Sequence, residues 1–420
     1  MQRTKFTKAE KSCILYVVGN SALVLLATSV IPIYFTGLAS ADPTLKDVAV
    51  GAWGTGETIA SLVIALLMPI LGSIADMEGM RKKFIVGCVG TGAVATVAMG
   101  FPTHWLPFLV IYVLSSIMLN SSFVFYDALL VDATTTERMD EVSSQGFAWG
   151  YVGSCIPFIA CLLIVLNAST IGIGMQTAML IAFCITSAWW VVFTIPMLKN
   201  VEQKSFKPKR PHAMRNAILG IGSTLRSIWR YEAMRYFIIA YFFYIDGVHT
   251  IIKMSTSYGT SLGIEGTQLV LALLVTQFVA WPASIIYGRL GRTVGTKKMI
   301  LVGIVGYVGI TLLASFRREI AIFFGLEPAV MFWILAICVG LFQGGIQALS
   351  RSLFGKLCPR EHVNEYFGFF DIFGKYAAIL GTGLVSAFTF LTKDPKLGVL
   401  SISVLFVAGF FAMLKVPDDV

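Results

Sequence analysis

Twelve apolar stretches follow one another along this chain, at about 12–38, 48–75, 83–103, 105–131, 143–166, 173–198, 234–258, 267–289, 298–316, 329–351, 364–391 and 396–415. Each holds about 20 residues or slightly more, the length at which an α-helix rising about 1.5 Å per residue crosses a hydrocarbon core about 30 Å thick. Lipid offers the backbone no hydrogen-bond partners, so such a stretch must satisfy its N–H and C=O groups internally, as a helix. Composition agrees: of 420 residues, 56% are hydrophobic and only 13% charged, with a mean hydropathy of +0.79. A soluble protein with that balance could not cover its surface. The predicted fold class is an all-α polytopic membrane protein, with twelve transmembrane helices in two six-helix pseudo-symmetric halves.

The net charge of +9 does not point to nucleic acid, because the basic residues are scattered between the spans. Placing both termini in the cytosol puts 25 of the 32 Lys and Arg in cytosolic segments and five in external loops. That asymmetry is the one the positive-inside rule demands, and it supports a multi-pass protein of twelve spans with both termini inside. The other two, Lys253 and Lys375, fall within spans. Residues 199–235 hold nine of the basic residues, and 207–211 read KPKRP. This segment reads as a solvated linker with amphipathic pieces lying on anionic headgroups. The chain then divides into an N-terminal six-helix half (1–198), a basic cytosolic linker (199–233) and a C-terminal six-helix half (234–420). The first residues, MQRTKFTKAEK, run into an apolar span without a cleavage pattern and read as a cytosolic tail. Seven cysteines show neither CxxC nor ligand-like spacing, and those within spans behave as small apolar residues. With no Walker A sequence, catalytic triad or metal cluster, the chain reads as a non-enzyme without cofactor or metal.

The two halves repeat. GSIADMEGMRKK (72–83) follows the second span and GRLGRTVGTKK (288–298) the eighth, and both fit G-x3-[D/R]-x2-G-x-[R/K]-K. YDALL (126–130) answers IQALS (346–350), and SSQGF (143–147) answers EYFGF (365–369). Parallel six-helix repeats imply a pseudo-twofold axis along the membrane normal, with a site between the halves.

The 72–83 stretch resembles the cytosolic loop signature of the major facilitator superfamily. Gly72 and Gly79 suit a tight turn and close helix approach. The resemblance implies that Asp76 caps a helix N-terminus of the opposite half and that Arg81 pairs with an acid at the end of the fourth span, where Asp132 is the candidate. Together they would form a charge latch. Read by itself, the stretch is a tight hairpin with cytosolic positive charge. In the second copy Arg292 replaces the acid, so no symmetric second latch is expected. Four further stretches narrow the resemblance: YVVGNSA (16–22), 125–154, YIDGVHTI (244–251) and 344–381. They are similar to the vacuole-effluxer-like branch of the superfamily, and the short loops suggest a bacterial member. The branch usually carries an acid after the first-span tyrosine, a position held here by Val17, opposite the acid Asp246.

In that superfamily spans 1, 4, 7 and 10 line the cavity. Polar residues inside the apolar spans give the candidates for substrate or proton binding. Span 7 carries Asp246, His249 and Lys253 on one helical face, at i, i+3 and i+7. Span 4 carries Tyr126 and Asp127, span 10 carries Gln343 and Gln347, span 1 carries Tyr16 and Asn20, span 2 carries Glu57, and span 11 carries Asp371 and Lys375. An isolated charge at mid-bilayer costs about 2.5–3.5 kcal/mol, so each needs a partner or water. Each also has a plainer role. Asp371 and Lys375 have ion-pair spacing, Asp246 suits a buried bond to Lys253 or to backbone, Asp127 suits the latch, and amides hold helices together.

These readings predict a secondary active transporter working by alternating access. By resemblance, its cargo is an amino acid or similar small amphipathic metabolite moved outward, with protons as a coupling ion, by a monomer embedded in the lipid bilayer. A lipid or glycolipid flippase on the same fold and a non-transporting membrane sensor or scaffold are the alternatives.

Overall fold

The computed structural model describes residues 5–40, 42, 49–208, 213–261 and 264–417. Fifteen helices run through them: α1 (Lys8–Ser40), α2 (Ala49–Ala75), α3 (Met80–Ala98), α4 (Trp105–Ala133), α5 (Met139–Leu166), α6 (Ala168–Ile171), α7 (Met175–Asn200), α8 (Ala213–Arg230), α9 (Glu232–Ser261), α10 (Gly266–Val294), α11 (Thr296–Ser315), α12 (Arg317–Phe324), α13 (Pro328–Leu357), α14 (Val363–Thr392) and α15 (Pro395–Leu414). Twelve of these match the twelve apolar stretches. Ten are long and apolar enough to cross a membrane on composition alone. The other two, α3 and α14, carry Arg81, Lys82 and Lys83, and Glu365, Asp371 and Lys375.

Several ends differ from expectation, those of the third and tenth spans among them. The third helix stops at Ala98, ahead of a Gly100-Phe101-Pro102 run that cannot continue it. The tenth span was drawn to end where Arg351 enters, yet α13 continues to Leu357 because Arg351, Ser352 and Lys356 all bond to protein groups there.

The chain packs as two compact units whose borders are not those of a simple cut. Unit 1 comprises 1–135, 149–221 and 359–369; unit 2 comprises 136–148, 222–358 and 370–420. The first turns of α5 therefore pack within unit 2, and the first turns of α14 within unit 1. A short 3-10 turn precedes each of these helices, at Thr136–Arg138 and Arg360–His362.

Helix α8 has three faces. Ala217, Thr224 and Ile228 are buried, and next to them Met214, Ile218, Leu225 and Trp229 form an exposed apolar stripe. Arg215, Arg226 and Arg230 flank that stripe on its other side. The linker before α8 is not simply solvated. Lys207 N–H donates to the Asp76 carbonyl at 2.7 Å, Glu78 N–H donates to the Lys207 carbonyl at 3.2 Å, and Gln203 Nε2 donates to the carbonyls of Ala75 and Met77. Residues 203–207 are stitched to the turn between α2 and α3.

Candidate functional site

That turn is built around Gly79, at φ +67°, and its counterpart between α10 and α11 around Gly295, at φ +113°. Both conformations are strained for a residue with a Cβ, which is why the repeated motif needs glycine there. Below the first turn lies the buried charge cluster from which a latch was expected. Arg81 is fully buried, and its Nη1 donates to Asp132 Oδ2 at 2.5 Å and its Nη2 to Asp76 Oδ1 at 3.2 Å. Asp76 Oδ1 also accepts from Asn364 N–H at 2.9 Å and Asn364 Nδ2 at 2.7 Å, and Oδ2 from Glu365 N–H at 3.0 Å. Those N–H groups belong to the first turn of α14, whose unpaired donors and positive dipole end favour a carboxylate. Burial pushes the Asp76 carboxyl up, against the pull of Arg81 and the α14 donors. Ser205 N–H adds a bond to Asp132 Oδ1, and Lys207 pairs with Glu365 at 2.8 Å. Helix α14 comes so close that a Cβ on Gly72 would sit 2.5 Å from the Asn364 carbonyl oxygen.

Unit 2 holds a second seat, but not the symmetric copy that Arg292 made doubtful. Here the acids sit on the incoming helix. Asp140, at the start of α5, accepts from Thr296 Oγ1 (2.7 Å), Ser352 Oγ (2.6 Å) and Lys356 Nζ (2.8 Å). Arg292 reaches the adjacent Glu141 at 3.2 Å, so the residue that breaks the motif supplies the charge complement. Arg351 bonds Ser143 Oγ and its carbonyl, with its guanidinium 4.7 Å from the centre of the Phe147 ring. A Cβ on Gly288 would meet the Asp140 carbonyl oxygen at 3.1 Å, as Gly72 meets that of Asn364. Asp140 thus corresponds to Asn364, a register two residues away from the match between SSQGF and EYFGF.

Among the intramembrane candidates, Asp246 on α9 is fully buried. Its Oδ1 accepts from Gly381 N–H at 2.9 Å and Thr250 Oγ1 at 3.3 Å, and its Oδ2 has no partner. His249 Nδ1 lies 3.2 Å from the Gly374 carbonyl oxygen, so both residues hold the α14 backbone. Lys253 is exposed and forms no ion pair with Asp246 among the described residues. Tyr16 and Asn20 are sealed in the core of unit 1: Tyr16 donates to Ser122 Oγ at 2.7 Å and stacks on Tyr126 at 4.6 Å, while Asn20 Nδ2 has no partner. Asp127 is half-buried on α4, and the acid of the latch is Asp132 instead. Gln347 Nε2 donates to the Gln343 carbonyl, and Gln343 Nε2 is buried without a partner. Glu57 is half-buried and accepts from Tyr112 OH. Asp371 is half-buried; the side chain of Lys375, and with it their pairing, lies outside the described residues.

Sequence reasoning passed over Tyr244, Ser350, Asp140, Lys356, Tyr112 and Trp53. The first two carried a readable signal. Tyr244 OH lies 2.6 Å from Ser350 Oγ, and both Tyr–Ser pairs span 106 residues. Aligning the two tyrosines places Val18, not Val17, opposite Asp246. Val18 is aliphatic and buried, so at this position of the repeat unit 2 carries an acid and unit 1 does not.

Comparison with known proteins settles the relationship. The family described as vacuole effluxer Atg22 like matches residues 55–419. The chain belongs to this family. It is 43% identical to the MFS-type transporter YxiO of Bacillus subtilis (strain 168), over 99% of this chain and 96% of that one. Against autophagy-related protein 22 of Cryptococcus neoformans the identity is 26%, and the aligned region spans about half of the fungal protein (49%). Among solved structures, the human organic anion transporter MFSD10 (TETRAN) superposes with a TM-score of 0.73 at 13% identity, covering 97% of this chain and 99% of that one. FucP in its outward conformation superposes with a TM-score of 0.71 at 11% identity, covering 97% of each. This Atg22-like protein has the twelve-helix major facilitator fold and is a multi-pass transporter of that type, not an enzyme.

Proposed function

We propose that this Atg22-like protein is a secondary active exporter of amino acids or similar small amphipathic metabolites, driven by proton exchange at Asp246. The observation that carries the reading is the carboxyl itself. It is buried within an apolar helix, with one oxygen held by a backbone N–H and a hydroxyl and the other left without a partner. A group so placed is costly as an anion and is relieved by a proton or by a substrate ammonium. His249, whose unperturbed pKa is near 6.5, is suited to pass that proton on. In alternating access the six-helix halves rock against each other, and the seats at Asp76 and Asp140 release as the cytosolic side opens. The protein works as a monomer in the plasma membrane, with the apolar stripe and three arginines of α8 resting on anionic headgroups.

The test is counterflow of labelled amino acids in proteoliposomes under an imposed pH gradient. Asp246→Asn is expected to abolish gradient-driven uptake while sparing exchange, and gradient-driven transport at the wild-type rate in this variant would sink the reading.

A further inference from the structure

A second intramembrane carboxylate, in the other unit, stands in different surroundings. Glu57 lies eight residues into α2, about 12 Å along it from the end at Ala49. Tyr112 OH, on α4, donates to Glu57 Oε1. One turn before Glu57, the Trp53 ring packs against Tyr112 with centroids 4.3 Å apart and the ring planes tilted by 34°. Phe35 closes on Trp53 at 5.3 Å, and Phe108 stands behind Phe35 at 6.3 Å. Phe35 and Phe108 are completely buried and Tyr112 nearly so, whereas Trp53 and Glu57 are half-exposed.

The direction in which Glu57 is open matters. Exposed Ile59, Leu62 and Leu66 mark the greasy flank of α2, and on a helical wheel Glu57 lies about 140° or more from all three. Its neighbours on the open side are Gly54, Thr58 and Ser61. Thr58 turns its hydroxyl back to the Gly54 carbonyl at 2.8 Å, and a Cβ on Gly54 would meet nothing within 4 Å. Glu57 therefore has space beside it on a small, polar face. The Tyr112 hydroxyl occupies one carboxylate oxygen, and the other oxygen and the Trp53 edge of the box remain for a ligand.

We propose that Glu57, Trp53 and Tyr112 form a binding subsite for an organic primary ammonium, separate from Asp246. The carboxylate supplies a charge-assisted hydrogen bond to the ammonium, and the exposed rim of the Trp53 ring supplies apolar contact to its first methylenes. Among the described residues a bare metal ion would find no group of three or more carboxylate, His or Cys ligands here, and a neutral alcohol would gain nothing from the charge. The subsite stands independently of proton exchange at Asp246, because it uses residues of unit 1 alone.

The experiment is a thermal-shift and calorimetric titration of the full-length protein in nanodiscs with n-butylammonium, using 1-butanol as the neutral isostere. Butylammonium is expected to bind saturably. Its affinity should fall at least tenfold in Glu57→Gln and several-fold in Trp53→Leu, and remain measurable in Glu57→Asp, which keeps the charge. Asp246→Asn should bind as the wild type does. Equal binding by Glu57→Gln, or equal stabilisation by butanol, overturns the subsite. So does loss of binding in Asp246→Asn alone, which would place the ammonium at Asp246 and leave the transport reading standing. If Glu57→Gln does not fold, the comparison of Glu57→Asp with Trp53→Leu decides: unchanged affinity in both overturns the proposal.

Discussion

The two seats solve one problem with opposite charge arrangements. In unit 1 the acid is on the hairpin, and Asp76 reaches up to the N-terminus of α14, with Arg81 and Asp132 buried behind it. In unit 2 the acids are on the helix, and Asp140 and Glu141 reach down to Lys356, Thr296 and Arg292. The hairpins share their glycines and their turn, so the backbone repeats while the charges are inverted. The difference also lies in water. Arg81 and Asp76 have no exposed side-chain surface, whereas the Arg292 and Glu141 side chains are 37% and 22% exposed. A buried charge set gains little from being present and loses heavily when one member is removed, because the partners stay buried and uncompensated. An exposed pair contributes little either way.

That contrast can be broken by substitution, beginning with the largest effect. Asp76→Ala leaves Arg81 with one acid and three α14 donors with none, and should destabilise the protein by about 3–5 kcal/mol. Thermal unfolding in detergent reads this, and a loss below about 1 kcal/mol would show that water replaces the carboxylate. Asp140→Ala removes three hydrogen bonds, one of them from Lys356, whose ammonium is 10% exposed and keeps its bond to Thr296 Oγ1. A loss of about 1.5–3 kcal/mol is expected, smaller than at Asp76, and the reverse order would refute the comparison. Arg292→Ala should cost under about 1 kcal/mol and lose even that effect in high salt, checked by the same melts at two ionic strengths.

Much of the fold was readable in the chain because bilayer thickness enforces a length and lipid enforces helix. Boundaries slipped where charged residues continue a helix into the seats, as Arg351 and Lys356 do in α13. The Arg81–Asp132 pair was foreseen because its two motifs are local and their partnership follows from the family resemblance. The Asp140 network was not, since its four members come from three helices and carry no shared spacing. The polar residues inside the spans were found by composition, but composition could not rank them. Tyr16 and Asn20 are enclosed, Gln347 folds back on its own helix, and among the described residues Asp246 alone combines full burial with a carboxylate oxygen that has no partner. Register was the weakest inference: a two-residue slip between the starts of α5 and α14 and a one-residue slip between Val17 and Val18 show how glycine and tyrosine matches can mislead when loops differ in length.

The exchange of the first turns of α5 and α14 bears on how this polypeptide is made. While the ribosome has completed only the first half, Asp76 and Arg81 are in place but the helix end they hold is still untranslated, nearly 300 residues downstream of Asp76. The seat for the start of α5 is likewise finished only when Lys356 emerges. Neither unit can reach its final packing before the chain is almost fully synthesised. Until then each half leaves the translocon with an unfilled, charged cradle, so assembly is completed after insertion and not during it.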